Sequence, residues 1–202
     1  AVKVKNKSQA KYLRKKFERL GNALGMDVKV IITDGSQPIG NGIGPLLEAE
    51  DVLAVLRNDP LAPLDLREKS LKMAGILLEM AGETRNGYKL AQDVLDSGDA
   101  LIKMREIIKA QGKVKKPSLG KFRYQVRSGK IGKIRSIDSD SIAKIARIAG
   151  APVDKGAGLY LHQKSGKIVR KGELLFTIYS QNKDKLDLAI KIMRINHPYL
   201  IK

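Results

Sequence analysis

The chain has 202 residues, of which 43% are hydrophobic and 30% charged, enough apolar material for a sizeable core and not the composition of a disordered segment. It has no cysteine, which excludes disulfides, cysteine-bound metals and a thiol nucleophile and fits a cytoplasmic protein. Lysine and arginine number 39 against 21 aspartate and glutamate, a net charge of +18 that attracts anions such as phosphate esters, nucleotides or nucleic acid.

The chain opens at Ala1 without an initiator methionine, and the basic stretch to Lys7 is not followed by a hydrophobic signal core. This start reads as processing or truncation. No apolar run is long enough to span a bilayer, so no membrane partner is expected. A first basic cluster includes Lys3, Lys5, Lys7, Lys11, Arg14, Lys15, Lys16 and Arg19. Ser8 to Gly25 has helical spacing, with Leu13, Phe17, Leu20 and Leu24 on one face and Gly25 as the stop. Val28 to Thr33 is a nearly continuous apolar run, the pattern of a buried and parallel strand. Helix, glycine turn and strand make half of an α/β unit.

Thr33-Asp34-Gly35-Ser36-Gln37-Pro38-Ile39-Gly40-Asn41-Gly42-Ile43-Gly44-Pro45 is too rich in glycine and proline for regular structure. It leads into a helix over Leu46 to Arg57, so it is a long loop from a strand end to a helix start, where open α/β sheets bind ligands. Asp34, Ser36 and Gln37 are suited to ordering that loop by turn-type hydrogen bonds. Further helices follow from Asp65 to a stop at Gly82, from Gly87 to Ser97 and from Asp99 to Gln111.

Residues 113–120 read as a linker, inside a second basic cluster of Lys113, Lys115, Lys116, Lys121, Arg123, Arg127, Lys130, Lys133 and Arg135. Short strands are predicted at Tyr124 to Arg127 and Ile131 to Ile137 around a Gly129 turn, then a helix from Ser141 to Ala149 capped by Ser139 or Asp140. Gly150 to Gly158 is a second glycine-rich loop. Strands follow at Leu159 to Gln163, Lys167 to Val169 and Leu174 to Ser180, then a helix from Lys183 to Ile195. This last part is a compact α+β module. The absence of cysteine and tryptophan, with many lysines and isoleucines, points to a thermophilic source.

Three stretches together carry a family resemblance. The first is Thr33-Asp34-Gly35-Ser36-Gln37-Pro38-Ile39-Gly40 followed by Gly44-Pro45-Leu46-Leu47-Glu48-Ala49. The second is Asp96-Ser97-Gly98-Asp99-Ala100 leading to Met104 and Ala110-Gln111-Gly112, and the third is Gly166-Lys167-Ile168-Val169-Arg170-Lys171-Gly172-Glu173-Leu174-Leu175. In this order they resemble the C-terminal portion of the thymidine or pyrimidine nucleoside phosphorylase family. The wording of the first stretch is most similar to archaeal AMP phosphorylases.

The resemblance implies an α/β plus α+β fold. Residues 1–112 would be the distal, helix-rich part of the central α/β phosphorylase domain, 113–120 a linker, and 121–202 a C-terminal α+β module of barrel-sandwich character. It implies a pentosyltransferase that turns AMP, or a nucleoside, and phosphate into free base and ribose 1,5-bisphosphate or its nucleoside equivalent. No cofactor is implied, inorganic phosphate being the co-substrate. The partners implied are the substrate, the missing N-terminal portion and, when complete, further copies of the chain. The family's phosphate loop, general acid and base-reading residues have no counterpart here, so no catalytic residue is carried over and the chain alone is expected to be inactive.

Two features would reach the site as walls. Phe17 lies on the helix that in the family places an apolar residue near the base, although an ordinary core role suits it better. The loop containing Gly150, Asp154, Lys155 and Gly156 matches by position one that orders over the closed site in some relatives, and a plain connection between helix and strand is the alternative. His162 and His197, the two imidazoles, stand far apart and read as structural or exposed, so no metal centre is expected. Lys164, beside a Ser-Gly turn, invites comparison with a lipoyl-type lysine but lacks the flanking hairpin of a carrier. The rival readings are a basic nucleic-acid-binding module, against which stand 4% aromatics and no stacking platform, and an assembly or regulatory piece without catalysis.

Overall fold

The computed structural model describes residues 4, 6–112 and 117–202. Lys3, Lys5, Lys113, Lys115 and Lys116, with the first four positions of the predicted linker, lie outside the described residues.

The first helix, α1 (Lys7–Ala23), begins where the Asn6 side chain accepts from Gln9 N and ends just before Gly25, whose φ of +67° is the left-handed stop the sequence requires. Its apolar face finds no cover: Phe17, Leu20 and Leu24 are each more than half exposed. The expected strand over Val28 to Thr33 does not form; these residues have no ladder partner among the described residues. Ladder hydrogen bonds need a neighbouring strand. Neither sheet described below includes this run, and Val28 sits so tightly on Gly21 of α1 that a Cβ there would strike its side chain.

Beyond the glycine-proline loop, a two-residue strand β1 (Gly42–Ile43) precedes four helices: α2 (Pro45–Leu56), α3 (Leu64–Met80), α4 (Gly87–Asp96) and α5 (Asp99–Ala110). Val55, Ala62, Leu71, Ala91 and Leu95 form a small core among them. Helices α3 and α4 touch backbone to backbone, since a Cβ on Gly75 would lie 2.5 Å from Tyr88 N.

The rest is a module of six strands and two helices. They are β2 (Phe122–Arg127), β3 (Gly132–Ile137), α6 (Ser139–Ala149), β4 (Gly158–Leu161), β5 (Ile168–Val169), β6 (Leu174–Ser180), α7 (Lys183–Asn196) and β7 (Tyr199–Ile201). Two sheets result, ordered β1-β4-β6-β2 and β5-β3-β7, with every pairing antiparallel. The described fold is therefore α+β, with no parallel sheet among the described residues; the one strand predicted for the α/β part has no partner among them.

Strands β2 and β3 flank the expected turn but do not pair with each other. Burial alternates along β2, which joins β6, while β3 joins β5 and β7. Helix α6 is capped by Asp138, one residue earlier than expected, its carboxylate accepting from Asp140 N at 3.1 Å. The core is large: seventeen buried residues, among them Ile134, Ile145, Leu159 and Ile178, all fully buried. Strand β7 was not legible, because its three residues follow a helix through His197-Pro198 and offer no alternation to read.

Candidate functional site

The glycine-proline loop is fastened to the molecule from several sides. At its start, Asp34 accepts from Ser36 N at 2.9 Å and Ser36 Oγ at 3.0 Å, the turn-type bonding expected of these residues. The backbone N–H of Ser36, then its hydroxyl, hold the Asp34 carboxyl below the usual carboxylate range against a small opposing effect of burial, and Lys7 lowers it further.

Farther on, the buried Asp51 carboxylate of α2 accepts from Asn41 N at 2.6 Å and Gly42 N at 2.7 Å. Gly40 adopts φ +70° with its α-carbon so close to Asp51 Oδ2 that a Cβ would lie 2.6 Å from it. Asp65 on α3 accepts from Gly40 N at 3.3 Å and pairs with Lys164 Nζ at 3.1 Å. The Lys164 ammonium also donates to Pro38 O at 2.7 Å and to Gly40 O, and Gln37 Oε1 accepts from Ser165 N at 2.8 Å. Lys164 is thus a tie between the β4–β5 turn and the loop.

These bonds deliver the chain to β1, which pairs Gly42 with Tyr160 and Ile43 with Leu159. The start of α2 is then closed. Gly44 N donates to Glu48 Oε1 at 2.9 Å and Leu46 N to Lys155 O at 3.1 Å, so two of the free donors that make a helix start attractive to phosphate are already taken.

The second glycine-rich loop is equally fastened. Gly150, at φ +124°, lies against Asp154, whose amide donates to Gly150 O at 2.9 Å and whose carboxylate pairs with Lys185 Nζ at 2.7 Å. Lys155 supplies the carbonyl that receives Leu46 N, and Gly156 O accepts from Gly120 N at 2.8 Å. A Cβ on Gly156 would collide with Ser118 O. The loop therefore joins three segments, 44–46, 118–120 and α7. Phe17 stands apart from it, 55% exposed on α1, so the structure does not bring the two expected wall elements together through any contact it shows.

His162, just beyond β4, shares a 2.9 Å hydrogen bond between Nε2 and Thr177 Oγ1 and meets Tyr160 edge to face. His197 is the left-handed cap of α7 at φ +43°. Among the described residues no group of His, Cys, Asp or Glu could hold a metal ion, and no helix is long and apolar enough to cross a membrane.

Residues 133–199 match the pyrimidine nucleoside phosphorylase C-terminal domain. Over 201 residues the chain is 46% identical to a protein of Bradyrhizobium sp. (strain BTAi1) described as a "Putative thymidine phosphorylase", covering 98% of this chain and 39% of that one. Proteins of the same description from Legionella pneumophila (strain Paris) and Rhodopseudomonas palustris (strain CGA009) are 45% identical over 202 residues and 49% over 193. They cover 99% and 94% of this chain, and 39% and 38% of their own lengths. This chain is a relative of the thymidine phosphorylases.

It spans about two fifths of the length of the phosphorylase relatives it matches. The three are bacterial, whereas the wording of the first loop pointed to archaeal members and the composition to a thermophile. The two glycine-rich loops are joined through Leu46 N and Lys155 O. Sequence reading gave no role in holding the loop to Asp51 or Asp65, and it singled out Lys164 only for comparison with a lipoyl-type lysine, not as a tether. Lys164 bonds the loop across 126 positions to Pro38, a separation no local pattern reports.

Proposed function

We propose that this chain is the C-terminal part of a phosphorylase that cleaves the glycosidic bond of a nucleotide or nucleoside with inorganic phosphate. The substrate we favour is AMP, giving adenine and ribose 1,5-bisphosphate, and the motif from Thr33 to Gly40 supports it. The enzyme needs no other cofactor, works in the cytoplasm and assembles from several copies. Residues 1–112 are the end of its central domain, 113–120 the joint and 121–202 the terminal module.

The observation that carries this reading is the uncovered apolar face of α1, continued by Met26 and Ile32 in the unpaired segment that follows it. Apolar surface of this extent is normally covered. The remaining three fifths of its relatives' length supplies polypeptide for that purpose. Packed there, it would give the 28–33 run the strand partner it lacks and bring the phosphate site, general acid and base-reading groups that this chain does not contain. Loop 150–156 and Phe17 would then face the bound ring and exclude water from the developing sugar cation.

The test is complementation. The chain, and the chain joined to the preceding portion of the Legionella relative, are assayed for phosphate-dependent release of base from AMP and from thymidine. Turnover by the joined protein alone, faster on AMP, is the expected result. Turnover by the chain alone, or none by a folded joined protein, overturns the proposal; preference for thymidine overturns the assignment to AMP.

A further inference from the structure

The terminal module holds a cleft of about 570 Å³ at the end of the molecule formed by β2, β7 and the last turn of α7. Its volume is within the range of small-molecule sites, roughly 300–1,000 Å³. Three cations stand around it: Arg127 at the end of β2, Lys130 in the following turn and Arg194 on α7. All three are exposed, no acidic residue lines the cleft, and among the described residues no carboxylate pairs with any of them. Glu173, on the β5–β6 turn whose carbonyl receives Ser128 N, has its carboxylate engaged by Arg170 N at 2.8 Å and Gln163 Nε2 at 2.9 Å.

The wall is of the opposite kind. Tyr124 and Tyr199 line it and are half-buried, and Tyr199 stacks on the buried Phe176 at 5.4 Å with the rings 13° apart. The Tyr199 hydroxyl donates to Gln163 O at 2.8 Å, which holds the ring in place. Strands β2 and β7 each pair on one edge only, with β6 and β3, so backbone polar groups on their other edges remain available. The carbonyl end of α7 works against an anion here. Its last turn is partly offset, since His197 N donates to Met193 O at 3.1 Å, Asn196 Nδ2 to Ile192 O at 3.0 Å, and Arg194 sits in that turn.

We propose that this cleft is a binding site for a phosphate monoester carrying a flat ring. Arg127 donates from Nη1 to Gly172 O at 3.0 Å and from Nη2 to Gln125 Oε1 at 2.8 Å, so its remaining N–H groups, with the Arg194 guanidinium and the Lys130 ammonium, take the phosphate, and the ring lies along Tyr124 and Tyr199. Guanidinium forks fit phosphate oxygens in pairs, and a flat ring on tyrosine gains apolar contact at little entropic cost. Every residue of the site lies in residues 124–201, so it does not depend on the phosphorolytic reading or on polypeptide outside this chain.

The test is a titration of the ¹⁵N-labelled chain followed by amide shifts, with four probes: AMP, phenyl phosphate, adenosine and inorganic phosphate. AMP and phenyl phosphate are expected to give saturable shifts over residues 124–130 and 193–201 with Kd at or below about 1 mM. Adenosine and inorganic phosphate should give much weaker ones at equal concentration. The exposed double variant Arg127→Glu, Arg194→Glu should weaken AMP at least about tenfold while its thermal midpoint stays near that of the parent. Lys130→Glu alone should weaken it in the same direction. Shifts by inorganic phosphate as strong as those by AMP, shifts confined to other segments, or AMP binding unchanged in the double variant would each overturn the site.

Discussion

Lys164 carries three contacts with one ammonium group: Pro38 O, Gly40 O and the Asp65 carboxylate. Its side chain is only 20% exposed, so the contacts are partly shielded from water. Lys164→Met keeps the stem and removes the donor, leaving two carbonyls and a carboxylate with one partner fewer. The expected loss is about 1–3 kcal/mol, read as a lower urea midpoint with an unchanged slope. His162 gives a pH signature. Partial burial of the ring lowers its imidazole below the usual 6.5, although the residue as a whole is exposed. The folded state then binds that proton more weakly than the unfolded chain does. Its contribution is present above about pH 6.5 and is lost as pH falls through the depressed folded value. Urea midpoints for the parent should therefore fall more steeply on acidification through that range than those for His162→Gln, which does not titrate.

Helices α3 and α4 pack through Gly75 and Gly87, where a Cβ on either residue would meet backbone of the other helix. Backbone cannot rotate away as a side chain can, so Gly75→Ala must separate the helices. The better helix propensity of alanine, worth about 1 kcal/mol, opposes an overpacking cost of about 1–3 kcal/mol. A net loss of stability of up to about 2 kcal/mol is expected in thermal or urea unfolding. Helix α1 behaves in the opposite way. Phe17 and Leu24 are 55% and 62% exposed, so replacing both by serine should change stability by no more than about 1 kcal/mol. The same change should reduce self-association of the chain in light scattering, because it removes the apolar face that lacks a cover.

The molecule contains two cores of unequal size, seventeen buried residues in the terminal module against five among α2 to α5. The smaller borders an open apolar groove of about 470 Å³ between Val52, Leu71, Leu77 and Val94, so its helices are less completely covered. Local stability follows buried contact. Hydrogen exchange should therefore show amides of α3 to α5 exchanging well before those of β4, β6 and α6. Equal protection across both parts would refute that ordering. The ion pairs of Lys89 with Asp93 and Lys103 with Glu106 are exposed and contribute little to stability.

The sequence by itself determined where the helices lie, because apolar spacing and glycine stops act within a few residues: α1 ends two residues before Gly25 and α3 two before Gly82, both glycines at positive φ. It also carried the family resemblance through the order of its motifs. Strand pairing was left to the tertiary structure, since a strand exists only beside another. Val28 to Thr33 has the right residues and no neighbour, whereas Tyr199 to Ile201 has too few residues to read and pairs with β3. The same holds for the loop. Thr33 to Pro45 is legible as irregular, but its path is set by Asp51, Asp65 and Lys164, whose partners are brought together only by the folded chain.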